Sequence, residues 1–115
     1  MVDKDSDARA LEMAREAIEG CVLRGLDMVG LSGRDVILFY VKSRFGLSVE
    51  KIPDDPDSFV TALRTIFGIR AASLLESIIH ELGEYSPQSE SEGEQVESFT
   101  NTLREGKLSV EQGIM

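Results

Sequence analysis

His80 stands four residues from both Glu76 and Glu84. On a helix all three would project from one side, and an imidazole flanked by two carboxylates could begin a metal site. A stable zinc site needs three or four ligands and usually a second histidine or a thiolate. The chain holds one histidine and one cysteine, so the trio reads as a surface pair on a helix. Asp54, Asp55 and Asp57 could present oxygens to a hard cation, but they lack the ligand spacing and turn glycine of a calcium loop. Asp55 before Pro56 is instead a natural N-cap, and a helix dipole favours carboxylates there. Cys21 lies among small residues, where a free thiol packs as a compact apolar group. No serine or cysteine stands in a nucleophile motif, and no glycine pattern follows a strand to cradle phosphates. The expectation is a chain with no catalytic, cofactor-binding or metal site. An enzyme whose polar groups converge from separated helices is the alternative that a sequence hides.

Charge narrows the partners. The chain of 115 residues carries 12 Lys and Arg against 21 Asp and Glu, a formal net charge of -9, which repels polyanions and favours solubility or a basic partner. Arg34, Lys42, Arg44, Lys51, Arg64 and Arg70 are scattered among acids and read as solvated helix faces, so nucleic acid is not an expected partner. The longest unbroken apolar run, Val36 to Val41, falls far short of the ~20 residues that cross hydrocarbon, and Met1 to Asp5 lacks a basic stretch followed by an apolar one. One cysteine permits no internal disulfide. A cytoplasmic protein with no membrane contact is expected.

Periodicity predicts an all-α fold, a compact bundle of four main helices. Residues 6 to 29 repeat Leu11, Ala14, Ile18, Val22 and Val29 at helical spacing, with Ala10, Ala14, Ala17, Cys21 and Gly25 offering a close approach to a second helix. Leu31-Ser32-Gly33-Arg34-Asp35-Val36 reads as a capping box with Leu31 stapled on Val36, opening a helix that Gly46 ends. The run Val36-Ile37-Leu38-Phe39-Tyr40-Val41 is apolar on nearly every side, which predicts a central, buried helix. After a connector in which Pro53 pushes Ile52 toward an extended backbone, Phe59, Leu63, Ile66 and Phe67 mark a third helix. Ala71, Leu74, Leu75, Ile78 and Leu82 mark a fourth, ending at Gly83. Three segments result: a bundle domain over 1–86, an acidic linker over 87–95, and a weakly amphipathic segment over 96–115. In the last, Val96, Phe99 and Leu103 form a short stripe that either docks on the bundle or binds a partner.

Tyr40, Phe45-Gly46-Leu47, Glu50, Ile52-Pro53, Pro56, Phe59, Ala62-Leu63 and Ile66-Phe67-Gly68 carry a resemblance to a small archaeal family named after Nitrosopumilus, whose members are predicted signalling output domains of unknown biochemistry. It covers Leu31 to Leu82 and implies a helical module that receives or passes a signal through contacts. The segment Phe45, Ile52-Pro53-Asp54-Asp55 is also similar to acyl carrier proteins, which would set Ser32 near the attachment serine. The Asp-Ser-Leu motif is missing there, and Asp57-Ser58-Phe59 has a like order on the wrong side of the loop. The expected function is a non-enzymatic interaction or signalling-output module whose partner is another protein or a second copy, a homodimer. An acyl-carrier-like protein is the alternative.

Overall fold

The computed structural model describes residues 4–112. The first constraint on their packing is the small-residue side of the first helix, α1 (Lys4–Leu26). Ala14, Cys21 and Gly25 are buried, and Gly25 sits against the backbone of Ile78, because only a residue without a side chain lets two helices approach so closely. Ile78 belongs to α4 (Ala71–Glu84), which buries Ala71, Leu74, Leu75, Ile78 and Leu82. The α1–α4 pair is the heart of an all-α bundle, with α5 (Glu90–Glu111) laid across both.

Between α1 and α4 the chain makes a shorter excursion. A 3-10 turn, Asp27–Val29, leads through Gly30 into α2 (Leu31–Phe45). A second 3-10 segment, Val49–Asp54, precedes α3 (Pro56–Phe67), and a third, Gly68–Arg70, joins α3 to α4. The expected punctuation holds at two sites. Gly46 takes a left-handed conformation at φ 67°, its amide bonding to the Lys42 carbonyl and the Leu47 amide to that of Val41, which satisfies carbonyls left open at a helix end. Asp55 caps α3, accepting from the Ser58 amide at 3.3 Å and the Ser58 hydroxyl at 2.8 Å, with Pro56 in the first turn. Pro56–Glu84 is long and apolar enough by composition to cross a membrane. Gly68 at φ 57° interrupts it, and its apolar stripes face the bundle interior.

Four expectations are corrected. The entry to α2 carries no side-chain cap: its N-cap is Gly30 at φ 86°, and Ser32 lies inside the first turn. Ending the preceding 3-10 turn requires a left-handed residue at position 30, and this moves the helix start ahead of Ser32. The expected staple on Leu31 lies outside the described side chains. The connector around Pro53 is a 3-10 helix, which accepts proline because its short ladder misses few amides. The expected linker over 87–95 is mostly helix, since α5 begins at Glu90, where the Ser89 side chain accepts from the Glu92 amide at 3.1 Å. Finally, α2 is not central. Ile37 and Val41 are buried, while Val36, Phe39 and Tyr40 stand in solvent. The space beside α4 that a central helix would fill is taken by α1 and α5.

Candidate functional site

The side chains singled out by type do not gather into a site. His80 Nε2 lies 3.8 Å from Glu84 Oε1 on the surface, while Glu76 turns to Lys107 of α5 at 3.7 Å, so the trio does not converge. Asp54 pairs with Arg15 at 2.9 Å, and the same guanidinium donates to the Glu50 carbonyl, tying the 3-10 segment to α1. Asp55 is the cap described above, and Asp57 is exposed in the first turn of α3. Among the described residues no three His, Cys, Asp or Glu gather as a metal could require.

Cys21 is buried and donates weakly to the Glu81 carbonyl at 3.5 Å. Burial pushes its thiol pKa above the usual value, against the lowering pull of Arg24, so the thiolate that a nucleophile needs is disfavoured at neutral pH. Arg24 completes this contact by pairing with Glu81 at 3.0 Å. The Glu19 pKa is raised from its ordinary value, first by partial burial and then by repulsion from Glu50. Glu50 is lowered by hydrogen bonds from Ser48 and from backbone, with Lys42 and Lys51 adding to the effect. A groove of about 420 Å³ is lined by Thr61, Arg64, Thr65 and Gly68, and the Thr65 hydroxyl donates to the Thr61 carbonyl at 2.8 Å. Ser32 is exposed on α2 between Leu31 and Gly33, without the preceding aspartate and following leucine of a carrier serine.

Val96, Phe99 and Leu103, the residues expected as a partner-binding stripe, are interior. They are 6 %, 2 % and 0 % exposed and join the main core. Of the two alternatives for this stripe, docking is the one found: the partner-binding role expected for Val96, Phe99 and Leu103 gives way to packing on the bundle, at the α1–α4 pair. The signal that could have placed them is Ser89-Glu90-Ser91-Glu92, a capping-box spacing seven residues ahead of Val96. Glu92 is itself buried, and the Tyr85 hydroxyl donates to its carboxylate, so the acidic stretch is anchored and not a free tether.

What the structure leaves unpartnered is the outward face of α2. At ~100° per residue, positions 36, 39, 40 and 43 share one sector, and 37, 38, 41 and 45 lie opposite. Ile37 and Val41 go to the core with Leu38 and Phe45 packed beside them. Val36, Phe39 and Tyr40 are 53 %, 64 % and 41 % exposed. Phe39 and Tyr40 meet edge to face at 5.9 Å, and the Arg44 guanidinium lies 5.5 Å from the Tyr40 ring centroid, contacts that favour this arrangement of the rings. Val29 extends the patch by covering Gly33, and Met28 of the same turn is exposed. An ion pair between Arg34 and Asp27 at 3.0 Å fixes that turn to α2. The arrangement offers apolar and aromatic contact, with Asp35, Lys42 and Arg44 around its edge.

No protein-family model, curated protein or solved structure matches the chain.

Proposed function

We propose that this chain is a non-enzymatic interaction module, of the signalling-output kind its resemblance implies, working in the cytoplasm through the outward face of α2. One observation carries the reading: a cluster of Val36, Phe39 and Tyr40 stands in water on a helix that already buries its opposite face. Single exposed apolar residues are ordinary, but a contiguous aromatic patch with a charged rim is the composition of a binding surface. Covering a large apolar side chain is worth ~1.5–3 kcal/mol, and aromatic anchors at the centre of a patch account for most of the affinity.

Two substitutions at comparably exposed apolar positions test this. Phe39→Glu and Ile69→Glu both alter side chains that are more than half exposed, Ile69 being 77 % so, and each is expected to change stability by no more than about 0.5 kcal/mol. Phe39→Glu is expected to weaken partner binding by ~30-fold or more, the size of an interface hot spot. Ile69→Glu leaves binding unchanged. Binding is read by co-purification from the source cell with quantitative mass spectrometry, and melting curves check the fold of both variants. Equal binding by the wild type and Phe39→Glu would remove the α2 face from the function.

A further inference from the structure

We infer that the occupant of this face is a second copy of the chain, docked α2 against α2 in an antiparallel, twofold-related pair. The inference rests on the reading of α2 as the interaction surface and names its partner.

The first ground is area. With ~150–250 Å² available to an aromatic side chain, the exposed portions of Val36, Phe39, Tyr40, Met28 and Val29 amount to on the order of 400 Å². A standard interface takes ~800 Å² from each partner, of which a little over half is apolar. The patch therefore supplies nearly all the apolar surface one side of a stable dimer needs. Its centre, Val36, Phe39 and Tyr40, is one face of α2, which can meet its own copy, with Met28 and Val29 of the preceding turn beside it.

The second ground is charge. Asp35 and Lys42 are seven residues apart, so they point the same way and lie on one flank of the exposed sector. In an antiparallel pair about a twofold axis normal to both helices, each flank faces the same flank of the other copy. A crossing centred between Leu38 and Phe39 sets each Asp35 opposite the second copy's Lys42, twice per dimer. A parallel pair would bring Lys42 beside the second copy's Arg44, two like charges that oppose association. Within its own chain, the Asp35 carboxylate lies 3.7 Å from Arg34 Nε, and its side chain is 73 % exposed, which leaves it accessible to a second cation. Lys42 is exposed near Glu50, whose pKa it helps lower.

The third ground is shape. A groove of about 230 Å³ runs along this same flank, lined by Asp35, Leu38, Phe39, Lys42, Val49 and Glu50. The antiparallel crossing brings the second copy's Phe39 to its mouth.

The test is sedimentation equilibrium on the full chain over a wide concentration range. The wild type is expected to be a dimer, and Asp35→Lys or Lys42→Asp alone is expected to weaken it roughly 10- to 100-fold by replacing two attractions with two repulsions. The double variant Asp35→Lys with Lys42→Asp restores both pairs in reversed sense and is expected to recover wild-type association. Circular dichroism and melting curves confirm that each variant is folded. A wild type that stays monomeric, single reversals without effect, or a double variant that remains monomeric each overturns the inference. Phe39→Glu separates the two readings. If the wild type is monomeric yet Phe39→Glu loses bound partner in the source cell, the second copy is excluded and the surface stands. If a dimer forms and ignores Phe39→Glu, both fall.

Discussion

A chain ended after Ser86 is expected not to fold. The removed segment includes the whole of α5, which carries Val96, Phe99, Leu103 and Val110, all buried, and lies against α1, α3 and α4. Each such side chain contributes ~1.5–3 kcal/mol when taken from water. Their sum reaches the ~5–15 kcal/mol of a whole domain before the core surface uncovered on α1 and α4 is counted. Far-UV circular dichroism should show the shortened chain losing its cooperative melt, and light scattering should show aggregation. A milder form is Leu103→Ala, which opens a cavity at a fully buried position and is expected to cost ~2–5 kcal/mol. A monomeric, cooperatively melting fragment would contradict the place given to α5.

Gly25→Ala is expected to destabilise the bundle although it adds a single methyl. Two effects oppose one another. Alanine in a helix interior is favoured over glycine by ~1 kcal/mol. Against this, a Cβ at position 25 would stand 2.5 Å from Ile78 Cγ1 and 2.6 Å from Ile78 Cα. The second atom is backbone, so no rotamer change relieves it, and α1 and α4 must move apart along the contact that organises the core. Overpacking of this kind costs ~1–3 kcal/mol or more, and with backbone involved the upper end applies, so the net change is destabilising by roughly 2 kcal/mol. Gly83→Ala is the matched control. Position 83 is helical, and nothing lies within 4 Å of the added methyl, so propensity acts alone and stabilises by about 0.5–1 kcal/mol. Urea denaturation of the pair reads both signs, and a neutral Gly25→Ala would mean that the helices are not in close contact there.

These glycines show how far the sequence could be read. Small residues along α1 announced a close helix neighbour, and α4 proved to be that neighbour, because Ile78 fits where Gly25 leaves room. Gly46, Asp55 and Pro56 were legible because each acts through its own backbone or its next few residues. The same tetrapeptide in two places marks the limit. Leu47-Ser48-Val49-Glu50 runs from loop into a 3-10 segment, while Leu108-Ser109-Val110-Glu111 is α-helix, so context decides what four residues cannot. Composition misled over 87–95 because Glu and Ser repel or solvate as isolated side chains, yet Ser89 caps α5 and Glu92 is buried against Tyr85.

The largest misreading, the place of α2, is also the most informative. Apolar residues all round a helix imply a surrounding of neighbours, and periodicity carries no signal for whether those neighbours come from the same chain. The bundle filled its centre with α1, α4 and α5 and left one side of α2 to the outside. The stripe at Val96, Phe99 and Leu103 left docking and partner binding open, and docking holds, since a weak stripe can still dock where a long helix lies across two others. Candidate interface residues thus moved from the end of the chain to Val36, Phe39 and Tyr40.

Site-specific photocrosslinking in the source cell tests the central claim most directly. A photoreactive phenylalanine analogue is placed in turn at Phe39, Ile69 and Leu108, all exposed and apolar, the last two on other elements than α2. The account predicts a discrete crosslinked product from position 39 on irradiation and none from positions 69 and 108. Crosslinking at 69 or 108 with none at 39 would place the working surface elsewhere and contradict it.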